Sequence, residues 1–269
     1  MPEGHTVHRH ARELARRFRG APVRVSSPQG RFGDGARALD GREVVGTDAH
    51  GKHLFLDVAH EADEPARTLH VHLGLYGKWT FGTGEPPAPR GLVRARLENG
   101  EHWADLRGPT ACEVLEPEQV SAVHERLGPD PLRGDDPGPA LARIGRSRAP
   151  VAGLLMQQEV VAGVGVVYRA EALFRAGLDP YRPGRAVGEE TLGELWSDLR
   201  ELLRTGVRAG RIVTTRPEHR SRPTGRVTRA DAHYVYRRTG EPCRVCSTPV
   251  AHADLAGRHL YWCPRCQPG

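Results

Sequence analysis

The segment QQEVVAGVGVVYRAEALF, residues 157–174, decides how the second half of the chain is read. Gly163 and Gly165 interrupt an apolar run that would otherwise continue as one helix, and Ala170, Leu173 and Phe174 then resume helical spacing. A helix, a glycine turn and a second helix present backbone N–H groups at a helix N-terminus, where the dipole and the lack of side chains favour an anion. Tight helix packing accounts for the same glycines, and on this segment alone the two readings stand level. Downstream, Leu192, Leu195, Trp196, Leu199, Leu202, Leu203 and Val207 keep helical period, the pattern of a packed helix. A basic, proline-interrupted stretch, residues 210–238, follows it. Upstream, GPDPLRGDDPGP at 128–139 is so rich in proline, glycine and aspartate that it reads as a linker.

The first hundred residues read as one helix followed mostly by strands. Val7, Ala11, Leu14, Ala15 and Phe18 mark one helical face over 6–18, and Gly20 stops it. KHLFLDV and TLHVHLGLYGKWTF alternate apolar with polar residues, and Asn99-Gly100 is a hairpin-turn signal.

At 269 residues and 38% apolar content the chain is long enough for two modest domains with their own cores. No apolar segment is long enough for a membrane span, and the N-terminal sequence lacks the apolar stretch and cleavage site of a signal peptide, so an intracellular protein is expected. A net charge of +6, carried almost wholly by arginine, suits a polyanionic partner but equally suits a genome that writes arginine for lysine.

The strongest chemical signal is C-terminal. Cys243-x2-Cys246 and Cys263-x2-Cys266, sixteen residues apart, supply four thiolates for one tetrahedral ion, as zinc requires. Two disulfides or an iron–sulfur cluster are the competing uses of four cysteines, disfavoured by a reducing compartment and by the ribbon-like spacing. Four ligands close the coordination sphere, so one structural Zn2+ is expected, holding a hairpin too short to fold on its own core. The fifth cysteine, Cys112, lies in a strand-like stretch and reads as a small core residue. Arg258, between the cysteine pairs, is placed at a hairpin tip, where its guanidinium suits a phosphate or simply solvent.

The opening MPEG, the HGK at 50–52, HVHLGLYGKW, VVAGVGVVYRAEALFRAGLDP, and GEPCRVC with WCPRCQP occur in the order of the formamidopyrimidine-DNA glycosylase and endonuclease VIII family. The resemblance spans essentially the whole chain, and PEG rather than PEL after Met1 resembles the endonuclease VIII branch. It implies an α+β multidomain protein. The N-terminal β-sandwich with flanking helices is assigned to 1–127 and the linker to 128–139. The helix-two-turn-helix domain is assigned to 140–232 and the C-terminal zinc finger to 233–269. It also implies damaged DNA bound in a cleft between the domains, and an activity as a bifunctional DNA glycosylase and abasic-site lyase favouring oxidised pyrimidines. The protein is expected to act as a monomer, nucleoid-associated when on DNA.

The site residues follow from the same resemblance. Removal of Met1 leaves Pro2 with a free secondary amine, far more often neutral at pH 7 than a lysine, and able to attack C1′ of a damaged nucleotide. The resulting iminium makes the 2′ proton acidic and allows elimination. Glu3 matches the acid that protonates the ribose ring oxygen and shuttles protons. Lys52 matches a lysine that reaches a phosphate beside the lesion and helps the base depart, and Arg258 matches an arginine assigned to phosphate binding and the second elimination. His72 matches a phosphate contact, and Leu75 and Tyr76 match side chains that fill the hole left by the flipped nucleotide. Gly163 and Gly165 become the turn that approaches the DNA backbone. Outside the family pattern each has a plainer use: a solvated turn lysine, a packed strand histidine, a buried strand pair. Two residues depart from the pattern. Val166 stands where an asparagine donates to a phosphate, and Gln157 where an aspartate is usual. The lost donor favours a second reading, a non-catalytic or weakly catalytic binder of damaged DNA, against which the intact Pro2 argues.

Overall fold

The computed structural model describes residues 2–60 and 65–269 and divides into two compact units, residues 1–126 and 127–269. The first opens with helix α1 (Gly4–Phe18), whose buried Val7, Ala11, Leu14 and Phe18 form the expected apolar face. The strands are β1 (Pro22–Ser26), β2 (Arg42–His50), β3 (His53–Val58), β4 (Arg67–His72), β5 (Lys78–Thr83), β6 (Val93–Glu98), β7 (His102–Arg107) and β8 (Ala111–Leu115), with helices α2 (Gly33–Leu39) and α3 (Pro117–Glu125). They are hydrogen-bonded in the order β5-β7-β6-β1-β2-β3-β4-β8. Strand β1 hands the pairing over: Pro22 and Val23 pair with β2, whereas Arg24, Val25 and Ser26 pair with β6. Side chains from both halves, with α1 and α2, enclose one core that includes Leu14, Val44, Leu56, Leu97 and Leu106, as a β-sandwich with flanking helices requires. At the β6–β7 turn the Asn99 side chain accepts from the backbone N–H of His102 at 2.9 Å, closing the hairpin.

The second unit contains α4 (Gly138–Gly145), α5 (Val151–Leu154), α6 (Val166–Arg175), α7 (Glu189–Ala209) and a hairpin of β9 (Ala251–Leu255) and β10 (Arg258–Trp262). The stretch read as a linker is folded into this unit. The Gly128 N–H donates to the Gln158 carbonyl at 2.9 Å, the Ala162 N–H donates to the Pro129 carbonyl at 3.0 Å, and Asp130 is buried. Proline, glycine and aspartate there mark tight turns rather than a free tether. Nor do the helical part and the zinc-finger region separate. Fully buried Glu171 on α6 accepts the backbone N–H groups of Tyr234, Val235 and Tyr236 at 2.7, 2.8 and 2.8 Å, together with the Thr214 hydroxyl. Buried Arg169 donates to the carbonyl of His259 on β10 at 2.6 Å.

The basic stretch is pinned at a neck. The Thr214 N–H and Thr215 hydroxyl donate to the carbonyls of Ala232 and Asp231 at 2.9 and 2.7 Å. The Asp231 carboxylate accepts from the Ser221 and Thr228 hydroxyls, which ties the arginine-bearing arc back to the neck at two points.

Candidate DNA-processing site

Pro2 is half-buried and immediately precedes the N-cap residue of α1. Glu3 is the N-cap residue of α1: its carbonyl accepts the N–H of Thr6 at 2.9 Å, and the residue as a whole has no solvent exposure. Lys52 sits at the tip of the β2–β3 hairpin, beside Gly51 with φ 59°, a left-handed value that suits glycine. Two contacts show how these pieces align. The Gly20 N–H donates to the Val44 carbonyl at 2.8 Å, and the Thr47 hydroxyl donates to the Ala11 carbonyl at 2.8 Å, so β2 runs antiparallel to α1. From Ala11 back to Glu3 the helix covers about 12 Å, and from Thr47 on to Gly51 the strand covers about 13 Å. The hairpin tip therefore comes level with the start of α1.

Behind that tip stands a row of imidazoles that the motifs did not announce. His53 Nδ1 lies 2.9 Å from His70 Nε2, and His70 Nδ1 lies 2.9 Å from a Glu113 carboxylate oxygen. Strand register makes the row. His53 pairs with His72 across β3 and β4, and His70 and His72 share a face two residues apart. An ionised Glu113 only accepts, so His70 donates through Nδ1. With neutral rings His70 Nε2 then accepts from His53 Nδ1–H, which leaves His53 Nε2 with a lone pair. Burial, reinforced by His72 and His70, pushes the His53 imidazole down to about 3, and burial with Lys52 nearby lowers His72. The HVH pattern opposite the HGKH turn was the available signal.

Leu75 and Tyr76 are not a buried strand pair. They protrude from the β4–β5 turn with 53% and 87% exposure. The Gly77 N–H donates to the Leu73 carbonyl at 2.9 Å, and Gly74 has φ 63° with Thr110 so close that a Cβ would meet its hydroxyl at 1.9 Å. The turn is thus rigid while its two large side chains face water. Cys112 is partly buried against the first core, and burial pushes its thiol up to about 12, which suits packing rather than reactivity.

In the second unit the apolar run before the glycines is not a long helix. Only residues 151–154 are helical, and turns fill 155–165. Val160, Val161, Ala162 and Val164 are apolar because they are buried. The Gln158 carboxamide organises the turns: Nε2 donates to the Val164 carbonyl at 2.9 Å, and Oε1 accepts the Gly163 N–H at 3.0 Å. The Gly163 amide is therefore occupied. Its φ of 88° explains the glycine, and Gly165 serves as the N-cap of α6. Val166 is buried and joins an apolar cluster with Ala170, Phe174, Tyr234 and Cys263. Valine there serves packing. Gln157 is half-exposed, and its carbonyl accepts the N–H groups of Val160 and Val161.

The four cysteine sulfurs lie within 4.8 Å of one another, with Cys243–Cys266 at 3.9 Å and Cys246–Cys263 at 3.4 Å. A zinc tetrahedron with bonds of about 2.3 Å has edges of about 3.8 Å, so the cage fits zinc. The Val245 and Cys266 N–H groups point at the Cys243 and Cys263 sulfurs, as they would at thiolates. Arg258 is exposed beside the tight Ala256-Gly257 turn, where both residues have left-handed φ, so the expected hairpin tip is present.

Residues 1–112 match the formamidopyrimidine-DNA glycosylase N-terminal domain, 127–217 the H2TH domain of the same enzymes, and 240–269 the zinc finger found in FPG and IleRS. The chain is 52% identical to "Endonuclease 8 1" of Mycobacterium tuberculosis over 99% of its own length and 100% of that protein's. It is 34% identical to the formamidopyrimidine-DNA glycosylase of Thermus thermophilus over 99% of this chain and 97% of that one. Its fold superposes on a Lactococcus lactis Fpg in complex with abasic-site DNA with a TM-score of 0.80 at 22% identity, covering 99% of this chain and 100% of that one. Full-length matches to both branches, over all three domains, mean that the chain belongs to the formamidopyrimidine-DNA glycosylase and endonuclease VIII family of DNA repair enzymes.

Proposed function

We propose that this DNA glycosylase and abasic-site lyase of base excision repair works through the amine of Pro2 and takes oxidised pyrimidines first. One observation carries the assignment: a fully buried carboxyl, Glu3, directly follows Pro2 at the start of α1, level with the hairpin tip that bears Lys52. Met1, whose removal frees the amine, lies outside the described residues.

The Pro2 nitrogen attacks C1′, the bond from C1′ to the base breaks, and the departing base takes a proton with help from Lys52. Glu3 protonates the ring oxygen as the sugar opens to an iminium. Loss of the 2′ proton expels the 3′ phosphate, and a second elimination, supported by Arg258 on the phosphate, expels the 5′ phosphate. His72 donates to a backbone phosphate, while Leu75 and Tyr76 occupy the space of the extruded nucleotide. The backbone around Gly163 and Gly165 lies along the DNA, and one Zn2+ on Cys243, Cys246, Cys263 and Cys266 shapes the finger without touching the chemistry. The pyrimidine preference is supported by the PEG start and the endonuclease 8 relative. The enzyme acts as a monomer, which sedimentation of the free protein tests.

Borohydride trapping of the tag-free protein on abasic-site DNA, with mapping of the adduct by mass spectrometry, tests the mechanism. An adduct on Pro2, absent in Pro2→Gly and with turnover reduced in Glu3→Gln, is expected. No adduct from zinc-loaded protein with Met1 removed would overturn the assignment. Excision rates on matched duplexes carrying an oxidised pyrimidine or an oxidised purine decide the lesion preference.

A further inference from the structure

Away from the four-cysteine cage, a second set of metal-binding side chains lies on the β9–β10 hairpin. His252 and Asp254 project from β9 on one face, and His259 on β10 stands directly opposite Asp254. The three side chains are exposed, and their ligand atoms lie within 4.8 Å of one another. His259 Nδ1 is the common point, 2.9 Å from Asp254 Oδ1 and 3.1 Å from His252 Nε2. A ring nitrogen has a single in-plane position, which holds either a proton or a lone pair. It therefore cannot donate to Asp254 and accept from His252 at once, and one proton has to be shared between two neighbours. An ion placed among the three atoms satisfies all of them, each through a lone pair.

The separations also fit in size. Ligands about 2.0–2.1 Å from a tetrahedral ion stand about 3.4 Å apart, so the two contacts of His259 need to open by only about 0.3–0.5 Å, and the His252 and Asp254 ligand atoms lie within 4.8 Å of each other. Two imidazoles and one carboxylate suit a divalent first-row ion of the zinc, nickel or copper class better than calcium or magnesium. The set is pinned by strand register rather than by loop conformation. The His259 carbonyl, held by buried Arg169, fixes the strand from behind.

We infer that His252, Asp254 and His259 form a second, surface metal site that takes a zinc-class divalent ion with an open coordination position, clipping β9 to β10 beside Arg258. It differs from the cysteine cage in having three ligands instead of four, in being exposed, and in using no sulfur. Metal bound there also stiffens the turn that carries Arg258.

The test is a Zn2+ titration of the full-length protein, its cysteine site already filled, against a chromophoric chelator at pH 7.5. Wild-type protein is expected to take one further equivalent. Asp254→Asn, nearly isosteric, and His259→Gln should each weaken that equivalent by at least about tenfold, while the tightly held zinc stays and reports an intact finger. His60→Gln, an exposed histidine in the other unit, should change nothing. Absence of a second equivalent in wild type, or its persistence at unchanged affinity in both hairpin variants, overturns the site.

Discussion

Glu171→Gln probes the joint between the helices and the zinc-finger region with the smallest possible change. The carboxylate sits with no exposure and accepts four donors, two on each oxygen. Glutamine keeps one acceptor oxygen, which serves Val235 and Tyr236, and turns an NH2 toward the Tyr234 N–H and the Thr214 hydroxyl. Thr214 has an alternative acceptor, the Ala232 carbonyl at 3.2 Å, and redirects to it. The Tyr234 N–H has none and is left buried and unpaired, at a cost of about 1–3 kcal/mol. The two surviving bonds lose their charge assistance, about 1 kcal/mol each. The sum is about 3–5 kcal/mol, or a urea midpoint lower by about 1 M or more for the second unit. Urea unfolding followed by circular dichroism measures it, with exposed Glu159→Gln as control. A midpoint within about 0.2 M of the parent would refute the idea that Glu171 holds this joint.

Leu75→Ala and Tyr76→Ala should leave thermal stability within about 0.5 kcal/mol, because both side chains already face water. They should lower excision from duplex DNA far more than trapping on a single-stranded abasic site, and equal losses on both would remove the wedge role. Acid should destabilise the first unit in a predictable window. Burial holds His5 and His53 near 3 and His10 near 4, against 6.5 in the unfolded chain, so the unfolded state binds more protons in between. Stability is then full above about pH 6.5 and is lost as pH falls toward 3–4; a melting temperature flat from pH 7 to 5 contradicts it. Val166→Asn restores the family's residue but buries an amide among apolar side chains, at a cost of about 1–3 kcal/mol by chemical denaturation. An unchanged midpoint together with tighter DNA binding would show that the amide escapes the cluster.

Much of this was legible because it rests on short-range physics. The helical face of α1, the Asn99 turn and the paired cysteines each declare themselves within a few residues. Where reading failed, the cause was tertiary. Apolar residues 160–164 look helical by composition, yet the core buries them in turns whose hydrogen bonds come from Gln158. The stretch 128–139 has the composition of a tether and the contacts of a folded segment. Leu75 and Tyr76 read as part of one alternating strand-like stretch, yet a turn between β4 and β5 breaks that stretch and leaves both exposed. The imidazole row arises when strand register brings residues 53, 70, 72 and 113 together, and no single segment records that.

The neck beneath the arginine-bearing arc gives this enzyme a freedom that its core does not have. With Thr214 and Thr215 bonded to residues 231 and 232, the ends of residues 216–230 are already closed, and loop-closure entropy grows only with the logarithm of length. Doubling the arc costs about 0.6 kcal/mol, less than one of the Glu171 hydrogen bonds beneath it. Length can therefore be added at the exposed tip, residues 222–226, at little cost to the scaffold, provided Ser221 and Thr228 keep their bonds to Asp231.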